Sequence, residues 1–323
     1  MIKKYVKDNK GIFMFDCVRF ITSDIHNRFT SKDLEGLEDY RIILTHGVIG
    51  ELINLIEQEN FLLPKEKLHL LVNNVETEKL FNNYGYNTYN ISEYIFTDDD
   101  RYNIINTSVK YDCVFPGREA KTYNLFKAPY SNTLNLLYKS ESYPYAREVM
   151  TQLFNQAKTG LMTTEAEGSC LSVGEMLSCG LPIVSVKINN LTSKHSYYPL
   201  SPNAYKTTYG MVLPNTLGGR ELWLTPNNSI YTEREDSKID QAITDLINKN
   251  LDRLEIRKDF LSKLYEHRIR FFYLIKSIFD ELQFDFNSIT LNEFINLPYG
   301  NSTITSTEWK KCLNHFKNSY ISI

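Results

Sequence analysis

Residues 159–186 read TGLMTTEAEGSCLSVGEMLSCGLPIVSV, in which apolar runs flank a turn rich in Glu and Gly. The first apolar run predicts a buried strand, and the residues from Gly168 to Cys179 predict a helix. Gly180 follows as the helix C-cap, and the apolar residues after Pro182 predict the next strand. A strand–helix–strand unit of this length is typical of a parallel α/β sheet.

The same alternation of short apolar runs and amphipathic helices extends over most of the chain. Strands are predicted at 11–15, 41–44, 68–72, 111–115 and 134–138. Helices are predicted at 49–56, 77–84, 146–157, 239–247 (with Asp236 or Ser237 as N-cap) and through 261–275. The sequence therefore predicts an α/β protein with two Rossmann-like domains in series.

The polar segment at 97–110 marks the predicted break between the two domains. We therefore expect an N-terminal domain at 1–108, which is short, and a second domain at 109–278. A helical or irregular tail at 279–323 follows them.

Composition excludes several classes of protein. The 323 residues are 42% hydrophobic and carry a net charge of −3, so a nucleic-acid partner would need a local basic patch. No apolar run approaches the roughly 20 residues of a membrane span, and no signal peptide is predicted. Five cysteines without a CxxC pair indicate reduced thiols, which predicts a cytoplasmic protein. The P-loop, GxGxxG, GxSxG and HExxH motifs are absent from the sequence.

The predicted helix start at Gly168 is the part of the chain best suited to bind an anion. Its free backbone N–H groups and the positive end of the helix dipole favour a phosphate. Glu167 lies just before the helix, and Glu175 lies about two turns into it. A carboxylate there can accept hydrogen bonds from the two hydroxyls of a ribose. Taken singly, Glu167 is better explained as a solvated turn carboxylate and Glu175 as a surface helix residue. Their joint spacing with Gly180-Leu181-Pro182 favours a functional role.

The spacing of Glu167 and Glu175, followed by Gly180-Leu181-Pro182-Ile183-Val184, resembles the family-four type of retaining glycosyltransferases (group 1-like). Met176 stands where that family more often has Ala. The loop around Gly218, Gly219 and Arg220 resembles the Gly-Gly-Arg loop of one subgroup of that family. The chain also resembles a phage-type subgroup. The resemblance is clearest over 111–248 and weaker over 40–110.

The resemblance implies the glycosyltransferase-B (GT-B) fold, in which two Rossmann-like domains face each other across a cleft. The N-terminal domain would bind the acceptor and the second domain the donor. A terminal helix, at 252–278 or near 308–318, would return to the N-terminal domain.

The resemblance also implies roles for individual residues. Glu175 would bind the donor ribose, and Glu167 would act at the donor sugar as a catalytic residue. Arg118 and Lys121, with Lys127 as a rival for Lys121, would neutralise the leaving diphosphate, since fixed cations stabilise that charge. The further donor-binding residues are Gly168, Ser169, Cys170, Leu171, Tyr143, Tyr145, Gly218, Gly219 and Arg220. Arg118 in an ordinary salt bridge and Gly218 to Arg220 in a plain turn are the alternatives.

The acceptor residues are predicted only from their residue types and their places in the chain. His46 and Gly47 follow a predicted strand, and Tyr197 and Tyr198 lie in the irregular, Tyr-rich segment 187–212. Aromatic faces stack on sugars and bases, so that segment is either an acceptor platform or an insertion packed on the surface. His46 is equally a structural histidine. The run at 98–100 superficially resembles an Asp-x-Asp metal motif, but we interpret it as a turn, and no metal site is predicted.

The reaction that the resemblance implies is transfer of a hexose-type sugar from a UDP- or GDP-sugar to a hydroxyl. It implies retention of configuration and neither an essential metal nor a cofactor other than the donor substrate. The acceptor is a saccharide, a lipid-linked or protein hydroxyl, or a hydroxylated DNA base as in some phage enzymes. A sugar-nucleotide epimerase and a non-catalytic nucleotide-sugar binding protein are the alternatives.

Overall fold

The computed structural model describes residues 2–15, 34–44, 64–72, 75–116, 134, 136–138, 147–162, 171–186, 223–233, 235–286 and 290–295. These residues divide into two compact units. Unit 1 lies within Met1–Phe96 and Leu264–Ile323, and unit 2 lies within Thr97–Lys263. The domain limits at 108 and 278 that the sequence predicts stay predictions beside this division.

Unit 1 contains a five-stranded sheet whose order in space follows the order in the chain. Its strands are β1 (Ile2–Lys7), β2 (Lys10–Phe15), β3 (Asp39–Leu44), β4 (Leu68–Val72) and β5 (Asn87–Asn90). Strands β2 to β5 are parallel, whereas β1 pairs with β2 in the antiparallel sense. Asp8 and Asn9 join β1 to β2 with φ of 47° and 57°, as a two-residue hairpin turn requires.

The helices of the described residues are α1 (Val75–Asn83), α2 (Arg147–Asn155), α3 (Leu171–Ser178), α4 (Asp236–Asn248), α5 (Arg253–Glu281) and α6 (Leu291–Ile295). Gly85 follows the end of α1 and has a φ of +80°. The amides of Gly85 and Tyr86 donate to the carbonyls of Asn82 and Phe81, which forms a Schellman motif. The last part of α5 lies in unit 1, although the helix begins in unit 2.

One face of the unit 1 sheet is buried by the C-terminal half of α5. Ile12, Ile43 and Leu71 form a single apolar cluster with an aromatic-rich set of residues, namely Phe271, Phe272, Phe279, Phe284, Phe286 and Phe294. Two α5 side chains also bond the backbone of the segment after β5. His267 Nδ1 accepts a hydrogen bond from the Ser92 amide at 3.0 Å, and Arg268 Nε donates to the Ile95 carbonyl at 3.0 Å. Burial lowers the pKa of His267 to about 4, so its ring is neutral and can accept that bond.

Unit 2 contains a fully parallel sheet of the strands β6 (Tyr111–Phe115), β7 (Leu136–Tyr138), β8 (Ala157–Met162), β9 (Ile183–Val186) and β10 (Ser229–Thr232). Their order is β7-β6-β8-β9-β10, which is the doubly wound order of flavodoxin-like proteins. Ile239 and Ile243 of α4 pack with Leu161 and Val184 on one face of this sheet.

The predicted α/β class with two Rossmann-like sheets is confirmed for the described residues: the unit 2 sheet is fully parallel, and in the unit 1 sheet every pair except β1 and β2 is parallel. The arrangement of the domains across a cleft stays a prediction. The predicted return of helix 252–278 to the N-terminal domain is confirmed from Leu264 onward. The predicted helix at 49–56 lies outside the described residues.

Two details of the sequence prediction are wrong or incomplete. The N-cap of α4 is Glu235 rather than Asp236 or Ser237, and its side chain makes no capping hydrogen bond. Asp236 instead occupies the first turn, where a carboxylate favours the helix dipole. The sequence analysis also missed β1, β5 and β10. All three carry few consecutive apolar residues, and β5 and β10 have only four residues each.

Candidate functional site

Helix α3 packs closely on the sheet because β8 has no side chain where the two meet. A Cβ on Gly160 would overlap the Met176 sulfur and would lie 3.3 Å from Leu181 Cδ2. Gly160 and Leu161 point to opposite faces of the strand, so α3 lies on the face opposite to α4. Unit 2 therefore has helices on both faces of its sheet.

The C-terminal end of α3 is fixed by a second Schellman motif. The Gly180 amide donates to the Leu177 carbonyl, and the Leu181 amide donates to the Met176 carbonyl, both at 2.9 Å. Gly180 has a φ of +66°, a left-handed conformation that glycine adopts without steric cost. The predicted C-cap role of Gly180 is confirmed.

Helix α3 leaves one face outside the core. Val173, Gly174, Met176, Leu177 and Ser178 are buried. The half-buried residues of the helix are Leu171, Ser172 and Glu175. Glu175 lies four residues after Leu171 and three after Ser172, so both lie on its face of the helix. Of the predicted donor residues, Leu171 and Glu175 thus lie together on the half-buried face of α3.

The sheet order of unit 2 reverses between β6 and β8. Val114 of β6 pairs with Gly160 of β8, while β7 lies on the other side of β6. In doubly wound sheets, ligands bind outside the carboxyl ends of the strands at such a reversal. The chain leaves β6 three residues before Arg118 and leaves β8 five residues before Glu167. The segments with the predicted diphosphate and sugar residues therefore start from neighbouring strands at this reversal.

Most predicted site residues lie outside the described residues, and their roles stay predictions. For the donor these are Arg118, Lys121, Lys127, Tyr143, Tyr145, Glu167, Gly168, Ser169, Cys170, Gly218, Gly219 and Arg220. For the acceptor they are His46, Gly47, Tyr197 and Tyr198.

The sequence analysis missed two arginines that contact the C-terminal end of α3. Arg253 donates to the Cys179 carbonyl at 2.9 Å, and Arg257 donates to the Ser178 hydroxyl at 3.0 Å. The sequence offered one indication of their shared role. They are four residues apart, which places both on one face of α5.

The two described cysteines of unit 2 are buried thiols. Burial raises the pKa of Cys113 to about 12, and it raises the pKa of Cys179 to about 12 despite the nearby Arg253 and Arg257. A thiol with such a pKa stays protonated near neutral pH and is a poor nucleophile. The arrangement therefore gives neither cysteine a covalent role.

The three aspartates at 98–100 belong to a turn. Asp98 Oδ1 accepts a hydrogen bond from the Arg101 amide at 3.1 Å, and the two side chains form an ion pair at 3.5 Å. Within the described ranges, three or more His, Cys, Asp or Glu side chains nowhere meet closely enough to hold a metal ion. In the same ranges, every helix is too short or too polar to span a membrane.

No protein-family model and no curated protein matches this chain. Among solved structures, the chain is similar to a mutant of BGT from phage T4 in complex with UDP-glucose. The sequences are 10% identical, and the match covers 80% of this chain and 70% of the phage chain, with a TM-score of 0.42. A likeness of this size is too weak to assign a function.

Proposed function

We propose that this protein is a glycosyltransferase that moves a sugar from a nucleotide-sugar donor to an acceptor hydroxyl. The donor would bind to unit 2, at the carboxyl ends of β6 and β8. The proposal rests on the agreement of two independent observations, the family resemblance of the sequence and the strand order of the unit 2 sheet. The residues that resemble a donor site follow the two strands at which the sheet order reverses.

Glu175 is the described residue that best fits a direct donor contact. It is half-buried, whereas five of its neighbours in the helix belong to the core. A carboxylate in such a place can bind the vicinal hydroxyls of a ribose, each through one of its oxygens. Hydrogen bonds to a charged group contribute about 1.5–3 kcal/mol, which corresponds to roughly a 10- to 150-fold change in affinity.

The proposed reaction breaks the bond between the anomeric carbon and the diphosphate and forms a bond from that carbon to the acceptor oxygen. In a retaining reaction both events occur on the same face of the sugar, and a phosphate oxygen takes the acceptor proton. Arg118 and Lys121 would stabilise the charge that develops on the leaving diphosphate. The nucleoside diphosphate then leaves as the second product.

The test is to measure binding of a panel of UDP- and GDP-sugars, including UDP-glucose, to the full chain by titration calorimetry. We expect one donor to bind, and we expect Glu175→Ala to raise its Kd by roughly 10- to 150-fold. Glu255→Ala is the matched control. Its side chain is 69% exposed on α5 in the same unit, so we expect it to leave the Kd unchanged.

Turnover of the bound donor separates the proposed activity from its alternatives. Sugar transfer that needs an added hydroxyl acceptor supports the glycosyltransferase, and transfer that persists in excess EDTA supports metal independence. Isomerisation of the donor without an acceptor would indicate an epimerase instead. Binding without any consumption in a full acceptor panel would indicate a binding protein. Unchanged binding and turnover by Glu175→Ala would show that the site is wrong.

A further inference from the structure

The carbonyl groups at the end of α3 are all bonded, but not all by the helix itself. A helix leaves its last four carbonyls without intrahelical partners. The Schellman motif accounts for the carbonyls of Met176 and Leu177. The remaining two, of Ser178 and Cys179, accept hydrogen bonds from Arg257 and Arg253 of α5. The end of this short helix therefore depends on two side chains from nearly 80 residues further along the chain.

Arg257 also bonds a third segment of unit 2. Its Nη2 donates to the Asp99 carbonyl at 2.8 Å, and its Nη1 donates to the Tyr102 carbonyl at 2.7 Å. The Ser178 hydroxyl donates to the same Tyr102 carbonyl at 2.5 Å. Arg257 thus joins the end of α3 to the turn at 99–102 and to α5.

Arg253 has a different set of partners. Besides Cys179, its guanidinium donates to the carbonyls of Phe154, at 3.1 Å, and Ala157, at 3.3 Å. It therefore fixes the junction of α2 and β8. Of the two arginines, Arg257 bonds both the backbone and the side chain of Ser178, so it acts more directly on the last turn of α3.

A guanidinium is well suited to this place for two reasons. Its planar fork of N–H groups can serve several carbonyls at once, which a lysine ammonium cannot do in the same geometry. Its positive charge also lies at the C-terminal end of a helix, where the dipole favours cations.

We propose that Arg257 is a positioning residue for the donor site, a role that rests on the proposed function. Glu175 precedes Ser178 by three residues, which is less than one helical turn. A helix of eight residues moves largely as one piece, so a shift of its last turn also shifts Glu175. By bonding Ser178, Asp99 and Tyr102, Arg257 holds the face of α3 on which Glu175 lies.

The first measurement tests whether Arg257 holds α3. Arg257→Met removes the hydrogen bonds and the charge and keeps an apolar side chain on α5. We expect backbone hydrogen exchange in a peptide covering 171–180 to accelerate about tenfold or more, while exchange in α4 stays as in the wild type. Lys258→Met is the control, because that side chain is 76% exposed and next to Arg257 on the same helix. Unchanged exchange in Arg257→Met would overturn the proposal.

The second measurement tests whether the effect reaches the donor through Glu175. We expect Arg257→Met to raise the donor Kd about tenfold and to change kcat by less than about threefold at saturating donor. In a double-mutant cycle with Glu175→Ala, the combined effect should be clearly smaller than the product of the single effects, because both changes remove the same contact. A purely structural role would give effects that multiply.

The results distinguish a failure of the positioning role from a failure of the proposed function. Effects that multiply in the cycle would overturn the positioning role and leave the proposed function intact. A wild type that binds no nucleotide sugar would overturn both. If Arg257→Met does not fold, Ser178→Ala replaces it in the cycle, since it removes only a hydroxyl. It should raise the donor Kd about threefold, again without multiplying with Glu175→Ala, and effects that multiply there would equally overturn the role.

Discussion

Replacing Gly180 with alanine tests whether the end of α3 is held as closely as its geometry indicates. Gly180 has a φ of +66°, and a Cβ on it would overlap the backbone carbonyl of Arg253. Gly85 has the same function at the end of α1, with a φ of +80°, but a Cβ there would meet no atom within 4 Å. The two glycines therefore share the backbone strain and differ in the steric overlap.

The expected magnitudes follow from these two terms. A left-handed conformation costs an L-residue about 1–2 kcal/mol, and alanine recovers roughly 0.4–1 kcal/mol because it restricts the unfolded chain. Gly85→Ala should thus destabilise unit 1 by about 1 kcal/mol. At Gly180, forcing an extra carbon against backbone adds about 1–3 kcal/mol, so the total is about 2–4 kcal/mol.

Thermal melting followed by circular dichroism measures the difference. A change of 1 kcal/mol shifts the midpoint by about 2–4 °C in a domain of 150–250 residues. We therefore expect Gly85→Ala to lower the midpoint by about 2–4 °C and Gly180→Ala to lower it by about 4–16 °C, roughly two to four times as much. If the units melt separately, each variant should move only the transition of its own unit.

The comparison is decided by the difference between the variants rather than by either shift alone. Equal shifts would show that α5 does not approach Gly180 as closely as described, and the account of the bonds from Arg253 and Arg257 to α3 would then lose its basis. A third variant, Gly36→Ala, provides a second control, since Gly36 has a φ of +78° and open space around it.

Two further predictions concern unit 1. The pKa of His267 is about 4 in the folded protein, whereas that of an unfolded histidine is about 6.5. The unfolded state therefore binds the proton first as the pH drops. The free energy of unfolding should fall by about 2–3 kcal/mol between pH 6.5 and pH 4 because of this group. In His267→Asn, the side-chain carbonyl can still accept the hydrogen bond from the Ser92 amide, but it does not titrate. Urea unfolding of this variant should therefore show a smaller loss of stability between pH 6.5 and pH 4 than the wild type. An equal loss in both proteins would contradict this role of His267. The Asn82 side chain bonds both the amide and the carbonyl of Thr88, so Asn82→Ala should cost about 1–3 kcal/mol in urea unfolding at pH 7, and Asn83→Ala should cost less than about 0.5 kcal/mol. Equal losses for the two asparagine variants would show that the Thr88 bonds contribute nothing.

The parts of the fold that the sequence predicted have strong apolar patterns. The strands β4 and β8, and the helix α3 with its glycine cap, are bounded by residues whose backbone preferences leave few alternatives. The strand β1 was missed because IKKYVK contains three lysines and forms an edge strand, which needs no continuous apolar run. Its turn, Asp8-Asn9, also lacks the glycine that is the usual hairpin signal.

The candidate site was predictable to a different degree. Glu175 was identified from its spacing and from a family resemblance, and the structure places it with Leu171 on the half-buried face of α3. Arg253 and Arg257 were not identified, because their hydrogen-bond partners, apart from the Ser178 hydroxyl, are backbone carbonyls. A carbonyl belongs to every residue, so a bond to it leaves no pattern in the sequence of the partner segment.

The topologies of the two sheets give a reason, independent of any motif, for assigning the donor to unit 2. In the unit 1 sheet the strands follow chain order, so the described strands contain no point at which the order reverses. One face of that sheet is also filled by α5. The unit 2 sheet has its reversal between β6 and β8, and helices α3 and α4 occupy opposite faces. A crevice for a nucleotide forms where connections leave a sheet in opposite directions, and among the described strands only β6 and β8 meet that condition. The sheet topology therefore favours unit 2 over unit 1 for the proposed donor site without using the resemblance of Glu167 and Glu175 to known glycosyltransferases.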